Sequence, residues 1–205
     1  MLRILAGEKR GIHLRVAHTA AVRPTASNAR QVLFDILGPR VIGTRWLDFY
    51  AGSGAVGLEA LSRGAAECVL VEASHRCIKT IRQNIATLDY ADRCRVLPVA
   101  AEKAIKILAA AARPFDMIFL DPPYSGDEAK HTLLALGDPS ASALLLTKDS
   151  LVIAQLSIHS EISDAYGSLA LERERKLGDT RLCFFRAALF RDSASPRSPC
   201  RSVAD

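Results

Sequence analysis

Residues 48–61 read "DFYAGSGAVGLEAL" and carry three glycines, Gly52, Gly54 and Gly57, in the spacing G-x-G-x-x-G. The preceding run "TRWLDFY" (44–50) is predicted to be a strand, and the apolar spacing after Gly54 predicts a helix. Glycines between a strand and a helix permit a tight turn and close approach of the backbone to a ligand. This stretch therefore predicts the first unit of a doubly wound α/β fold.

The rest of the chain repeats the alternation of strand and helix. Further strands are predicted at "ECVLVEA" (67–73), "RCRVLPV" (93–99), "FDMIFLDPPY" (115–124) and "SLVIAQLS" (150–157). Helices are predicted at 74–88, at about 102–112 and after 125. The segment 169–189 is predicted to be a hairpin of two strands with a turn at Gly178-Asp179. We expect a Rossmann-like, seven-stranded, mostly parallel sheet with an antiparallel C-terminal hairpin.

The N-terminal part has a different pattern. The short runs "LRILAG" (2–7) and "IHLRV" (12–16) predict a small β-hairpin, and a helix is predicted from Ser27 to Leu37. We therefore predict an N-terminal extension at 1–43 and an α/β domain at 44–190. The Ser/Pro/Arg-rich tail at 191–205 is predicted to be disordered.

The positive charge is concentrated in the N-terminal extension. The chain has a net charge of +5, yet residues 1–45 hold eight Lys/Arg and two acids, while the remaining 160 hold 19 Lys/Arg and 20 acids. A basic extension beside a nearly neutral body favours a polyanionic partner, most simply a nucleic acid.

Composition argues against several other classes of protein. No apolar run approaches the roughly 20 residues that span a bilayer. The first residues lack the apolar core of a signal peptide, so a cytoplasmic location is expected. The five cysteines include no C-x-x-C pair, which argues against a disulfide framework and a zinc site, and no metal is expected.

The glycine loop alone fits two ligands, a nicotinamide dinucleotide and S-adenosylmethionine. Glu72, at the end of the second strand, can accept hydrogen bonds from ribose hydroxyls, but both ligands contain adenosine. Asp48 favours S-adenosylmethionine because its carboxylate would repel a pyrophosphate and attract a sulfonium or amino group. Gly57 is then expected to serve a close contact between helix and sheet.

A second motif, Asp121-Pro122-Pro123-Tyr124, follows the fourth predicted strand. The first and fourth strands are expected to be neighbours, so this motif should face the glycine loop. The Asp121 carboxylate and the Pro122 carbonyl can both accept from one NH₂ group, and Tyr124 offers a ring for stacking. That arrangement suits methylation of an exocyclic amine on a nucleobase that has left its stack.

With these motifs the chain resembles the bacterial 16S ribosomal RNA guanine-N2 methyltransferases, a class I S-adenosylmethionine-dependent family. The resemblance rests on "RILAGEKRG", "RPTASNARQVLFDIL", "DFYAGSGAVGLEALSRGA", "FDMIFLDPPY" and "GDTRLCFFR" and runs from about residue 2 to 186. It implies methyl transfer to N2 of a guanine in 16S ribosomal RNA, within a small subunit or an assembly intermediate. A monomer is expected.

The resemblance also implies roles for individual residues. Those expected to hold the target base are Asp121, Pro122, Pro123 and Tyr124. Those expected to hold the methyl donor are Asp48, Ala51, Gly52, Ser53, Gly54, Glu72 and Ala101. Those expected to contact RNA are Lys9, Arg10, Arg23 and Arg30. The alternative for Arg30 is an inward position from which it orients the catalytic loop.

One position departs from the family pattern. An acid that contacts the adenine amino group is expected after the third strand, but Ala100 and Ala101 stand there. Glu102 or a backbone carbonyl is the candidate replacement.

Three alternatives stay open from the sequence. A DNA adenine-N6 methyltransferase has the same kind of amine pocket, but 205 residues leave little room for a separate DNA-recognition domain. A noncatalytic RNA-binding assembly factor would have no need of Asp121 beside an intact glycine loop. A nicotinamide-dependent oxidoreductase would bind nicotinamide and not S-adenosylhomocysteine.

Overall fold

The computed structural model describes residues 2–17, 24–123 and 127–187. The predictions for Arg23, for Tyr124 and for the tail at 191–205 lie outside this part of the chain. Among the described residues, no helix is long and apolar enough to cross a membrane.

One sheet forms the centre of the fold, with eight strands in the described part of the chain and the order β3-β2-β1-β4-β5-β8-β7-β6. The strands are β1 (Arg45–Phe49), β2 (Glu67–Val71), β3 (Cys94–Leu97), β4 (Met117–Leu120), β5 (Leu151–Ser157), β6 (Ala165–Tyr166), β7 (Leu169–Leu177) and β8 (Thr180–Ala187). The first five strands are mutually parallel, whereas β6, β7 and β8 join antiparallel. The predicted Rossmann-like architecture and the neighbouring positions of β1 and β4 are confirmed.

Six α-helices lie within the described residues. They are α1 (Pro24–Leu37), α2 (Ala55–Ser62), α3 (His75–Leu88), α4 (Ala101–Ala110), α5 (Glu128–Gly137) and α6 (Pro139–Leu145). A 3-10 turn at Gly38–Val41 follows α1. The helix expected at 27–37 begins earlier because proline is well tolerated in the first turn of a helix.

The hydrophobic core has two layers, one on each face of the sheet. On β1, Leu47 and Phe49 face the cluster formed with α4, α5 and α6. Trp46 faces the other cluster, with α1, α2 and α3, where its ring stacks on Phe34 at 5.6 Å between centroids. Burying each large apolar side chain contributes about 1.5–3 kcal/mol to the free energy of folding. Both layers therefore stabilise the packing of the helices on the sheet.

Two elements differ from the sequence prediction. The single helix expected after 125 is two helices, because Pro139 has no amide hydrogen and the preceding Asp138 is extended. The side chain of Asp138 instead caps α6 by accepting from the Ser140 amide at 2.9 Å. The eighth strand, β6, has only two residues, too few for an alternating pattern to reveal it.

The N-terminal hairpin is short: besides the bridge of Arg3 with His13, backbone hydrogen bonds join Ile4 to Ile12 and to Gly11 and Leu14 to Leu2. The amides of Leu5 and Ala6 leave the hairpin ladder and donate to the carboxylate of Glu59 on α2, at 2.7 and 2.9 Å. Glu59 is fully buried, and Arg63 pairs with it at 2.7 Å. The hairpin is therefore held by the helix that follows the glycine loop as well as by its own pairing.

Ser62, at the end of α2, makes a second set of bonds to the hairpin turn. Its hydroxyl donates to the Ala6 carbonyl at 2.6 Å and accepts from the Lys9 amide at 3.0 Å. Its backbone carbonyl accepts from the Glu8 amide at 2.8 Å. Gly7 lies so close that a Cβ placed on it would be 1.7 Å from the Ser62 carbonyl oxygen.

We predict that Gly7→Ala destabilises the protein much more than Gly11→Ala. Both glycines have left-handed φ angles, +83° and +86°, so both substitutions carry the same backbone penalty of about 1–2 kcal/mol. Only Gly7 faces backbone atoms, since nothing lies within 4 Å of a Cβ on Gly11. We expect an additional loss of about 1–3 kcal/mol for Gly7→Ala in chemical denaturation. Equal losses would contradict the docking of the turn on α2.

Candidate active site

The glycine loop and the Asp121-Pro122-Pro123 motif lie side by side at the carboxyl edge of the sheet. β1 and β4 are hydrogen-bonded neighbours with Phe49 opposite Leu120, so the chain leaves both strands at the same level. The strand order reverses between β1 and β4, and such a point is where α/β sheets bind ligands.

The glycine loop turns sharply through three residues with left-handed φ angles. These are Tyr50 at 59°, Gly52 at 58° and Gly54 at 78°. The Ala51 amide donates to the Val71 carbonyl at 3.0 Å, which ties the loop to the end of β2. Tyr50, a residue that rarely adopts this conformation, bonds through its hydroxyl to Thr132 on α5 at 2.7 Å. The end of β2 and α5 thus hold the loop in a strained turn.

Asp48 lies buried beneath the loop on the α2 face of β1. One carboxylate oxygen accepts from the Gly57 amide at 2.9 Å. The pKa of Asp48 is raised to about 8, chiefly by burial and also by the Asp121 and Glu72 carboxylates, against the lowering effect of the Gly57 hydrogen bond. A cation placed at the loop would favour the ionised form of this carboxyl group and would then gain an electrostatic partner in a site shielded from water.

Gly57 provides the close contact between α2 and the sheet that was expected of it. A Cβ on this residue would lie 2.4 Å from Leu70 Cδ2 and 2.6 Å from Cys68 Sγ. The missing side chain lets the first turn of α2 approach β2 and brings the Gly57 amide to Asp48.

Glu72 closes the loop from the end of β2. Its two carboxylate oxygens accept from the amides of Gly52 and Ser74, each at 2.8 Å. A carboxylate offers about four acceptor positions, so these bonds leave capacity for hydroxyl donors. The predicted contact with a ribose stays a prediction.

The Asp121 carboxylate is oriented by a residue that sequence reasoning missed. Gln155 on β5 donates from Nε2 to Asp121 Oδ2 at 3.0 Å. Gln155 is 7% exposed and is the polar exception in an apolar strand. Burying an amide is costly without a partner, and here the partner is the carboxylate at the site. The signal was present in "LVIAQLS", where one glutamine interrupts a buried strand. Beside Asp121, Pro122 is buried and Pro123 is exposed.

Asn84 is a second residue that the sequence prediction missed. It lies fully buried on α3, and its side-chain amide donates to the carbonyls of Ser53 (2.9 Å) and Arg15 (3.0 Å). Its oxygen accepts from the Arg15 amide at 2.8 Å. One side chain thereby joins the glycine loop to the N-terminal extension. A polar residue at a helical core position was the only signal.

No acidic side chain follows β3 at the position where one was expected. Ala101 is the first residue of α4 and is buried, and the N-cap Ala100 makes no side-chain cap. Glu102 lies exposed in the first turn. The expected role of Ala101 at the donor site can only be a packing or backbone role.

The residues predicted to contact RNA occupy different environments. Arg10 is exposed, and Lys9 is half-buried with Nζ 5.7 Å from the centre of the Tyr90 ring. Arg30 is only 3% exposed, which corrects the expectation that it contacts phosphates. It faces inward, as in the alternative, but its guanidinium donates to the carbonyls of Arg3 (2.7 Å) and Ala55 (3.3 Å), and no bond to the catalytic loop is seen among the described residues. It thus connects α1, the hairpin and the start of α2.

We predict that Asp48→Asn flattens the pH dependence of stability. With its pKa raised to about 8, the folded, ligand-free protein keeps this proton up to that pH, whereas an unfolded chain loses it near pH 4. Between these values the folded state binds the extra proton, so stability falls by up to about 1.4 kcal/mol per pH unit as pH rises. Asparagine keeps the acceptor for Gly57 and removes the titration. Urea unfolding of the variant and the wild type between about pH 4 and pH 8 provides the measurement. If the free energy of unfolding depends on pH equally in both proteins, Asp48 does not titrate as a buried group.

The described part of the chain contains no group of three or more His, Cys, Asp or Glu side chains that could hold a metal ion. The residues at the site do fit an organic cation, because the buried Asp48 carboxyl group lies beneath the loop and the Glu72 carboxylate lies at its edge.

Comparison with known proteins gives a consistent result. Residues 2–186 match the family described as conserved hypothetical protein 95. A putative rRNA methyltransferase, YlbH of Bacillus subtilis, is 32% identical over 90% of this chain and 98% of its own. Ribosomal RNA small subunit methyltransferase D of Escherichia coli K12 is 32% identical over 86% of this chain and 85% of its own.

A solved structure is similar as well. The putative methyltransferase yhhF from Escherichia coli superposes with a TM-score of 0.74 at 30% identity, over 91% of this chain and 97% of that one. The resemblance inferred from the sequence motifs is confirmed at the level of the family. The chain belongs to the conserved hypothetical protein 95 family, the family of ribosomal RNA small subunit methyltransferase D.

Proposed function

We propose that this protein transfers a methyl group from S-adenosylmethionine to the exocyclic N2 amine of a guanine in 16S ribosomal RNA. The observation that carries the proposal is the meeting, at one sheet edge, of the glycine loop over buried Asp48 with Asp121, held by Gln155. The names of the relatives from Bacillus subtilis and Escherichia coli support a ribosomal RNA substrate.

The donor supplies an electrophilic methyl group on a sulfonium, and the loop residues suit its amino-acid and ribose ends. Gly52, Ser53 and Gly54 would lie under the amino-acid end, next to Ala51, while Asp48 balances its positive charge. Glu72 would accept from the ribose hydroxyls. In the ligand-free protein Asp48 carries a raised pKa because it is desolvated, and a bound cation would lower it again.

Asp121 and Pro122 act on the amine. The guanine N2 lone pair is delocalised into the ring, so the nitrogen is a weak nucleophile. Acceptance of its hydrogens by the Asp121 carboxylate and the Pro122 carbonyl favours a pyramidal nitrogen whose lone pair points at the methyl carbon. The catalytic gain comes from alignment and electrostatics. N2 would gain the methyl carbon as the bond from that carbon to sulfur breaks, S-adenosylhomocysteine would leave as the neutral thioether, and the surplus proton would pass from N2 to the Asp121 carboxylate or to water. Tyr124 is proposed to stack on the base.

We propose residues 1–43 as the RNA-contacting extension and 44–190 as the methyltransferase domain. Lys9, Arg10 and Arg23 are the proposed phosphate contacts. The partner is the small ribosomal subunit or its assembly intermediate, and the protein is proposed to act as a monomer in the cytoplasm.

A methyl-transfer assay tests the activity directly. Unmodified small subunits and free 16S RNA are incubated with the protein and S-adenosylmethionine carrying a radioactive methyl group. Incorporation into the RNA of either substrate supports the proposal. The proposal would be contradicted if neither substrate were labelled. It would also be contradicted if calorimetry showed that the protein binds a nicotinamide dinucleotide and not S-adenosylhomocysteine.

We predict that Asp121→Ala lowers turnover by about 10²–10³-fold, because the amine loses a charged acceptor at the moment charge develops on it. Binding of S-adenosylhomocysteine should change little, since the donor loop is intact. Asp92→Ala is the matched control, an exposed aspartate in the turn before β3. Near-normal turnover of Asp121→Ala would show that the residue does not act on the amine.

We predict that Lys9→Glu/Arg10→Glu weakens binding to 16S RNA and flattens its dependence on salt. Each lost phosphate contact lowers the slope of log K against log salt by about 0.7–0.9. Filter binding over a salt series provides the measurement, with thermal unfolding as the check that the hairpin turn is still docked. A slope equal to that of the wild type excludes the turn as an RNA contact.

A further inference from the structure

The outer face of α3 is a basic surface beside the donor loop. His75, Lys79 and Arg82 lie exposed along it and, with Ile78, Gln83 and Ala86, line a shallow groove of about 560 Å³. These residues recur at helical spacing, so they share one side of the helix. His75 and Arg82 are seven residues apart, about 10 Å along the axis.

The charge of this helix differs from that of the protein around it. α3 carries Arg76, Lys79 and Arg82 and has no acidic residue. The chain after residue 45 as a whole is nearly neutral, with 19 Lys/Arg and 20 Asp/Glu. Within the described residues, these three cations enter no ion pair. Among the exposed arginines elsewhere in this part of the chain, Arg113 pairs with Glu67 at 2.8 Å, whereas Arg10 and Arg15 of the N-terminal extension, like the α3 cations, enter no ion pair. The α3 cations thus present an unbalanced positive potential to solvent.

The position of α3 connects this face to both parts of the site. The helix starts directly after Ser74. The Ser74 amide donates to Glu72, the residue at the end of β2 that also binds the glycine loop. Its inner face carries Asn84, which holds the backbone of the exposed Arg15. The basic face therefore continues from the rim of the donor site towards the basic N-terminal extension.

We propose that the outer face of α3 is a docking surface for the sugar–phosphate backbone of the substrate RNA, between the donor site and the N-terminal extension. The proposal rests on the proposed RNA substrate and extends it to a surface outside the N-terminal extension. Phosphate is the matching partner, because Lys79 and Arg82 are long, solvated cations without protein counter-ions. Contacts of this kind fix the register of the RNA and carry no sequence preference.

Charge neutralisation tests the surface with an internal control. Lys79→Gln/Arg82→Gln removes two cations from α3. Lys103→Gln/Lys106→Gln removes two exposed cations, also three residues apart, from α4 on the opposite face of the sheet. Binding to an unmodified 16S RNA transcript is measured over a salt series, and binding of S-adenosylhomocysteine is measured for both variants.

The α3 variant is expected to bind the RNA at least about tenfold more weakly, with the salt slope reduced by about 1.5, while the α4 variant stays within about twofold of the wild type. S-adenosylhomocysteine affinity should be unchanged in both. Equal losses in the two variants, or no loss in the α3 variant, would overturn the inference. If α3-dependent binding occurs but the wild type transfers no methyl group, the docking surface stands and the proposed function fails.

Discussion

The hydrogen bond from the Gly57 amide to the Asp48 carboxylate, 2.9 Å long and buried between α2 and β1, is the constraint on which the site depends. It forms only because Gly57 has no side chain, so that α2 can approach Cys68 and Leu70 on β2. Asp48 is buried, and this hydrogen bond supplies one donor to a carboxyl group that can accept several. Burying this carboxyl group costs folding free energy, and the same burial creates a site that favours a bound cation.

α2 transmits this geometry to the N-terminal extension. Its first turn is fixed by Asp48, and its last turn holds the hairpin through Glu59 and Ser62. Asn84 makes a second connection from the glycine loop to Arg15. The segment proposed to contact RNA and the loop proposed to hold the donor are thus connected by hydrogen bonds through α2 and Asn84. Such a connection suits an enzyme that must position a large substrate beside a small reactive group.

Much of this arrangement was predictable from the sequence, because it follows from local patterns and a topological rule. Strand and helix periodicity located β1 to β5, and the neighbouring positions of β1 and β4 placed Asp121 opposite the glycine loop. Asn84, Gln155 and Glu59 could not be predicted in this way, since each is defined by partners 31 to 69 residues away. Arg30 was ambiguous for the same reason: an arginine on a helix reads as a surface charge until the two carbonyls that bury it are known.

The identity of the methylated atom tests the central claim most directly. Unmodified small subunits are incubated with the protein and S-adenosylmethionine, and the nucleosides of their 16S RNA are then separated and weighed by mass spectrometry. The account predicts N2-methylguanosine as the new product and its loss in the Asp121→Ala variant. A methyl group on any other atom, or an N2-methylguanosine that forms without Asp121, would contradict it.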